Sequence, residues 1–438
     1  KSRTVKTDED FMVAGRDVPV YMLVATLVCT WIGSGSLFGT AGLTFRTGIS
    51  ELWFSAGAWV GILVVYTIAA RVRRIAKYTL TDLLEKRYSQ LAKVLGTITI
   101  IIAYMVIAGY QFKGGGRFIA ILSEGSITPE TGMIIAAALI IGFTVLAGMV
   151  SIVSIDIFNG SIMLVAMIVT LPFAIMGHGG IDAVVATIQQ HQPSHLSIMG
   201  GHDFVWVVGI ALPTFLLLMS ESSMYQKFSS ADNARNAKRA VMGMFIGVVL
   251  VETLMMLIAL VGFAIYADDP RFFLADGGIN RAMAEEIILR IGFEQLPTII
   301  GSLLLAAGAA IVISTGNTFL MVTSTNVTRD IFQAFFYKNA TSSQVVWLQR
   351  ACIIGIGVLA YLMMSQFETI LEMALVSYTM IGASLAPALL AAFFWKRVTR
   401  IAGVLSIAAG MLSVITITVL NSVFRDSGTT ILGFDFPM

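Results

Sequence analysis

The chain has 438 residues, 57% of them hydrophobic and only 12% Asp, Glu, Lys or Arg, against about 25% charged in soluble domains. A mean hydropathy of +0.86 over this length excludes a single buried core under a wet surface. The net charge of +2 without a basic run excludes nucleic acid as a partner, and two cysteines inside apolar runs, Cys29 and Cys352, exclude a disulfide framework.

Apolar runs of bilayer-crossing length recur along the whole chain. They predict an all-α polytopic membrane protein with eleven spans: 18–44, 49–72, 94–122, 129–148, 150–177, 203–226, 236–267, 295–327, 344–364, 366–395 and 401–422. Sorting Lys and Arg by loop puts 21 of 28 on one side of the membrane and six on the other, with Lys113 inside a span. By the positive-inside rule the N-terminus of this chain is expected in the cytoplasm. His178, His191, His195 and His202 then share one extracytoplasmic loop, where a solvated loop is expected rather than a metal site.

Five spans are an odd number, so the sixth enters from the side opposite to the first. Residues 18–177 and 203–395 therefore read as two five-helix repeats related by inversion, a five-plus-five arrangement common in secondary transporters. Span 401–422 is an additional C-terminal helix. The first span of each half is interrupted, by Cys29-Thr30-Trp31-Ile32-Gly33-Ser34-Gly35-Ser36 and by Ser220-Glu221-Ser222-Ser223 after Pro213. Unwound backbone is tolerated in hydrocarbon only against protein or a wet cavity. Close helix packing is the competing explanation for one such break, whereas two breaks at matched positions favour a binding site.

Polar groups at membrane depth narrow the chemistry. Asp156 in span 5 requires a partner or a cation. Ser314 and Thr315 in span 8, one turn after the Ile311 carbonyl, offer hard oxygen ligands suited to a small monovalent cation, unless the hydroxyls merely bond back to their helix. Lys113, beside Gly114, Gly115 and Gly116, has three open readings: an ion pair with Glu221 or Glu252, snorkelling, or contact with an anionic substrate. Glu368 and Glu372 fall at the outer start of span 10, where interface exposure is expected. Trp31 offers an aromatic wall or packing.

Four stretches, Phe11 to Arg16, Trp31 to Gly42, Glu221 to Ala240 and Ala306 to Asp330, together resemble the sodium/solute symporter family, which includes proline, pantothenate, sialic acid, sugar and choline symporters. The resemblance runs over nearly the whole chain. It implies a leucine-transporter-like fold whose leading helix would precede residue 1, with Na+ as coupling ion and no further cofactor. It also implies a sodium held by the carbonyls of Cys29, Ile32 and Ile311 and the hydroxyls of Ser314 and Thr315. A second sodium, found in some members, would fall at Asp156, Ser314, Asn317 and Thr318; Asn317 departs from the small or acidic residue usual there. Lys113 likewise departs from an apolar position in the Gln111 to Arg117 stretch.

The expected function is sodium-coupled symport of a small organic solute by alternating access, in a bacterial inner membrane. Candidate solute contacts are Trp31, Ser34, Ser36, Lys113 and Glu221. Lys113 and the half-helix ends suit a carboxylate, while Trp31 and Glu221 suit a choline-like cation. A membrane enzyme is disfavoured because no nucleophile-base pair, metal-ligand run or phosphate loop lies at membrane depth. A solute sensor would share the same sites. The partners expected are the solute, Na+ and lipid, with no obligate protein partner evident.

Overall fold

The computed structural model describes residues 18–75, 79–336, 338–364, 367 and 369–424; the Phe11 to Arg16 motif and Glu368 lie outside them. Among the described residues ten helical runs are long and apolar enough to cross a membrane, and Val20–Trp31 is a shorter apolar helix. The first of the ten, Gly35–Arg74, joins the second half of span 1 to span 2, so the count agrees with the eleven spans read from hydropathy.

Span 1 is helix α1 (Val20–Trp31), a break at Ile32 to Ser34, and then a π-helical turn Gly35–Thr40 that runs into α2 (Ala41–Thr47). Span 2 is α3 (Leu52–Ile75), a short α4 (Thr81–Arg87) follows, and span 3 is α5 (Gln90–Leu122). Spans 4 and 5 form one helical run, α6 (Pro129–Gly177), kinked at Gly148, whose φ of 66° and ψ of 170° only glycine adopts without strain. The hydropathy boundary between 148 and 150 is therefore a kink rather than a loop.

The connection between spans 5 and 6 carries α7 (Ile181–His191). Span 6 comprises α8 (Phe204–Ser220) and α9 (Ser222–Ser230), parted at Glu221, and span 7 is α10 (Ala234–Ile265). Two short helices, α11 (Arg281–Ala284) and α12 (Ile287–Arg290), precede span 8, α13 (Thr298–Asn326), which continues as a π-helix over Val327–Phe336. Spans 9, 10 and 11 are α14 (Ser342–Met363), α15 (Ile370–Phe394) and α16 (Arg400–Phe424). Thr128, Asp203, Asn233, Thr341 and Thr369 cap helix starts with side-chain oxygens, which satisfies donors that hydrocarbon would leave orphaned.

Two packed groups surround the breaks. In one, α3 lies against α8 and α10, and α1 lies against α10; in the other, α5, α6 and α13 pack on one another. Residues 29 to 45 and 220 to 230 are buried throughout, whereas Leu139, Phe158, Ile299, Leu362 and Ile401 point outward. Leucine costs nothing facing lipid tails, so the interior is built instead from small and polar residues that let backbones approach. At Gly114, for instance, an added Cβ would fall 2.9 Å from the Phe38 ring.

Candidate functional site

The two breaks face a common cleft. It is lined by Thr30, Trp31, Gly33, Ile107, Tyr110, Leu217, Glu221, Met224, Thr315, Phe319 and Tyr378, and is narrowed to about the size of one water molecule. Ile32, with φ −79° and ψ 109°, ends the first half-helix. Glu221, with φ −70° and ψ 100°, separates the halves of span 6 and caps the second through its carboxylate.

Helix α13 closes one side. Thr315 Oγ1 shares its hydrogen between the carbonyls of Cys29, at 2.9 Å, and Ile32, at 3.0 Å. Ile311, fully buried, sits one turn earlier on the same helix. Ser314, the adjacent hydroxyl, donates to Asp156 Oδ1. Three polypeptide segments thus meet through hydroxyls: the span 1 break, span 5 and span 8.

Asp156 is 1% exposed. Its second oxygen accepts from Thr26 Oγ1 and lies 3.7 Å from Lys227 Nζ. Lys227, which the hydropathy pattern assigns to a loop, lies in α9, wholly buried. Its ammonium donates to the Thr26 carbonyl at 2.9 Å and to Thr30 Oγ1. Of the other residues read as a second sodium site, Asn317 Oδ1 accepts from Thr144 Oγ1 at 2.9 Å. Thr318 is fully buried and its hydroxyl has no hydrogen-bond partner among the described residues. A separate cavity of about 200 Å³ lies between α6 and α13, with Asp156, Asn159, Ser314 and Asn317 on its wall.

The aromatic wall is fixed in place by a carboxylate. Trp31 Nε1 and Trp59 Nε1 each donate to Glu252 at 2.6 Å, and the Trp31 ring stacks on Tyr378 with centroids 6.1 Å apart. Glu221 accepts from Tyr104 Oη and from Ser223 Oγ, the latter at 2.7 Å. Ser34 is buried behind the break, where its amide donates to Gln111 Oε1 at 2.9 Å. Ser36 lies in the π-helical turn, and neither serine lines the cleft. Lys113 Nζ donates to the Phe367 carbonyl at 2.9 Å, and Lys113 is not among the cleft residues.

Outside the cleft, buried charge ties elements together at both ends. Glu285, after α11, accepts from Arg117 Nη1 at 2.6 Å and from the amides of Ile370 and Leu371 at 3.1 and 2.8 Å. Asp330 accepts from Thr79, Thr81 and Thr97 and lies 3.5 Å from Lys93. The histidines are dispersed. His191 pairs with Asp268, His202 stacks on Trp206, and His195 is buried with Nε2 at 2.9 Å from the Arg46 carbonyl. So the loop is not solvated throughout: burial holds the His195 imidazole below its ordinary pKa, while the Thr187 carbonyl and Asp268 raise that of half-buried His191. Among the described residues no group of three metal-binding side chains forms.

Comparison with known proteins gives this geometry a context. Residues 11–410 match the sodium:solute symporter family. The chain belongs to that family. As a symporter of this group it is a multi-pass plasma-membrane transporter, not an enzyme, and couples a solute to sodium. It is 24% identical to the sodium/proline symporter of Escherichia coli, over 94% of this chain and 83% of that one. It is 25% identical to the osmoregulated proline transporter OpuE of Bacillus subtilis, over 93% and 82%.

Among solved structures, a substrate-bound, outward-open Na+-coupled sialic acid symporter superposes with a TM-score of 0.74 at 16% identity, covering 95% of this chain and 93% of that one. MhsT in complex with L-phenylalanine gives 0.62 at 14% identity, covering 91% and 97%. These two likenesses establish the five-plus-five inverted-repeat fold of the symporter.

Three features of the site escaped the sequence reading. Lys227 precedes a truly basic loop and was grouped with it. Glu252 was noted only as a partner for Lys113. Glu285 carried no motif. The usable signal for Lys227 was the uncompensated Asp156 itself, because a buried carboxylate calls for a cation somewhere in the bundle.

Proposed function

We propose that the coupling sodium binds between the span 1 break and span 8, held by the carbonyls of Cys29, Ile32 and Ile311 and the hydroxyls of Ser314 and Thr315. The observation that carries this reading is the Thr315 hydroxyl bridging the two freed carbonyls at 2.9 and 3.0 Å. A cation would take the place of that bridging hydrogen, and the hydroxyl would turn a lone pair toward it. Five neutral oxygens replace part of a monovalent ion's hydration shell without fixing it irreversibly. The Ser314 hydrogen already points to Asp156, which leaves the Ser314 oxygen free to face an ion and makes it a stronger ligand. In this reading repeats 18–177 and 203–395 rock against each other, 401–422 is an additional helix, and the N-terminal end of the chain is cytoplasmic.

The solute sits in the cleft between the two breaks. It is a small amino-acid-like molecule carrying both a carboxylate and an amine, as proline does in the named relatives. Glu221 at the cleft supports the amine, the stacked Trp31 and Tyr378 rings support an apolar or cationic body, and the carboxylate follows from the likeness to the proline symporters. Glu221 also favours a second reading, a choline-like cation lacking a carboxylate. At 100 mV each sodium contributes about 2.3 kcal/mol, roughly a fiftyfold accumulation. Uptake into reconstituted vesicles tests both readings, using labelled L-proline, other amino acids and quaternary amines with and without a sodium gradient. Sodium-dependent accumulation of an amino acid is expected. Uptake indifferent to sodium overturns the coupling, and uptake of quaternary amines alone overturns the carboxylate.

A further inference from the structure

We propose that Lys227 is a tethered cation occupying the charge position that a second sodium would take, so that this chain binds a single sodium. The proposal rests on the sodium reading above and adds its stoichiometry. An ammonium has three protons to place. Lys227 finds the Thr26 carbonyl at 2.9 Å, Thr30 Oγ1, and Asp156 Oδ2 at 3.7 Å. Asp156 in turn holds three partners, Ser314 on Oδ1 and both Thr26 and Lys227 on Oδ2.

The charges of this pair cancel inside a site that is 0% exposed at Lys227 and 1% at Asp156. A second sodium there would face the Lys227 ammonium across a carboxylate whose charge is already paired, and like charges at that separation disfavour each other. No further negative charge is at hand to offset a second cation beside Lys227: Asn317, whose Oδ1 accepts from Thr144, and Thr318 are both neutral. The residues at this place therefore do not fit a second sodium.

Lys227 also couples the two broken spans. Thr26 and Thr30 lie one turn apart on α1, where Thr30 Oγ1 donates to the Thr26 carbonyl at 2.7 Å. Lys227 lies on α9, and the Val18 amide donates to the Ser230 carbonyl at 3.0 Å, so the two half-helices run side by side from Lys227 to their ends. The fixed charge thus moves with span 6, whereas a free ion would leave at each cycle.

Equilibrium binding of radiolabelled sodium to the purified chain tests the stoichiometry directly. One sodium per chain with a Hill coefficient of about 1 is expected of the parent, and Lys227→Arg, which keeps the charge, should match it. Lys227→Met strands the Asp156 carboxylate and should recruit another sodium, giving two per chain and a Hill coefficient between about 1 and 2. Lys227→Met combined with Asp156→Asn should return the count to one. If Lys227→Met does not fold, Lys227→Gln, which removes the charge but keeps hydrogen-bond donors for Thr26 and Thr30, takes its place and should likewise bind two. Two sodiums on the parent, or one on folded Lys227→Met, overturns the proposal; no sodium on the parent overturns the coupling site itself.

Discussion

The two broken helices solve one problem with opposite chemistry. In span 1 the break at Ile32 to Ser34 frees carbonyls, and a neutral hydroxyl, Thr315, bridges them. In span 6 the break is a single residue whose own carboxylate caps the following half-helix and is held by Tyr104 and Ser223. The first break presents bare oxygen dipoles to a cation. The second presents a carboxylate, and six residues later a buried amine, that of Lys227. Inverted repeats need matching geometry to alternate between states, yet their chemistry can diverge: on the proposed reading the span 1 break supplies carbonyls to the ion and Trp31 to the solute, and the span 6 break supplies Glu221 to the solute and carries a resident charge.

Substitutions can break this contrast, beginning with the costliest. Asp156→Asn removes the counter-charge of Lys227 and should destabilise the folded chain by about 3–5 kcal/mol, the cost of stranding a buried ion. Thermal unfolding in detergent reads this as a lowered midpoint, and adding Lys227→Met should restore most of the loss. An unchanged midpoint for Asp156→Asn would mean that the charges do not depend on each other.

Glu221→Gln keeps an acceptor for the half-helix cap but removes the charge from the cleft. It should weaken amine-bearing solutes by ten- to a hundredfold, for one charge-assisted bond of about 1.5–3 kcal/mol, while the sodium concentration for half-maximal uptake stays within about twofold of the parent. A shift in sodium dependence without a shift in solute affinity would erase the division of labour between the breaks.

Lys113→Gln should do least. The amide can still donate to the Phe367 carbonyl that Lys113 now holds, so solute affinity should change by less than about threefold, under about 0.7 kcal/mol. Concentration dependence of uptake measures it, and a loss of tenfold or more would return Lys113 to the solute site.

Sequence reading reached some parts of this molecule and not others, for physical reasons. The spans were visible because lipid enforces long apolar runs, and both breaks were visible because Gly33, Gly35 and Glu221 have no cheap place in a hydrocarbon-bound helix. The kink at Gly148 was visible as a span boundary, although not as a continuous helical run. Contacts between spans were not visible, because they join residues far apart in the chain: Asp156 to Lys227, Trp31 to Glu252, Arg117 to Glu285. Lys227 misled because a basic residue at the end of an apolar run normally marks the interface, and only packing against α1 reveals that it is buried. His195 misled in the same way, since a loop histidine at 1% exposure has to be seen against Arg46 and Phe263.

The placement of the coupling ion is tested most directly by sodium-dependent stabilisation of the purified chain, with N-methylglucamine holding ionic strength constant. At sodium a hundredfold above its dissociation constant, a bound ion stabilises the fold by about 2.7 kcal/mol. The parent should show that gain, and Ser314→Ala combined with Thr315→Ala should lose about 1.4 kcal/mol of it or more, equivalent to a site weakened at least tenfold. A folded double variant stabilised by sodium as strongly as the parent would contradict the placement of the ion between the span 1 break and span 8.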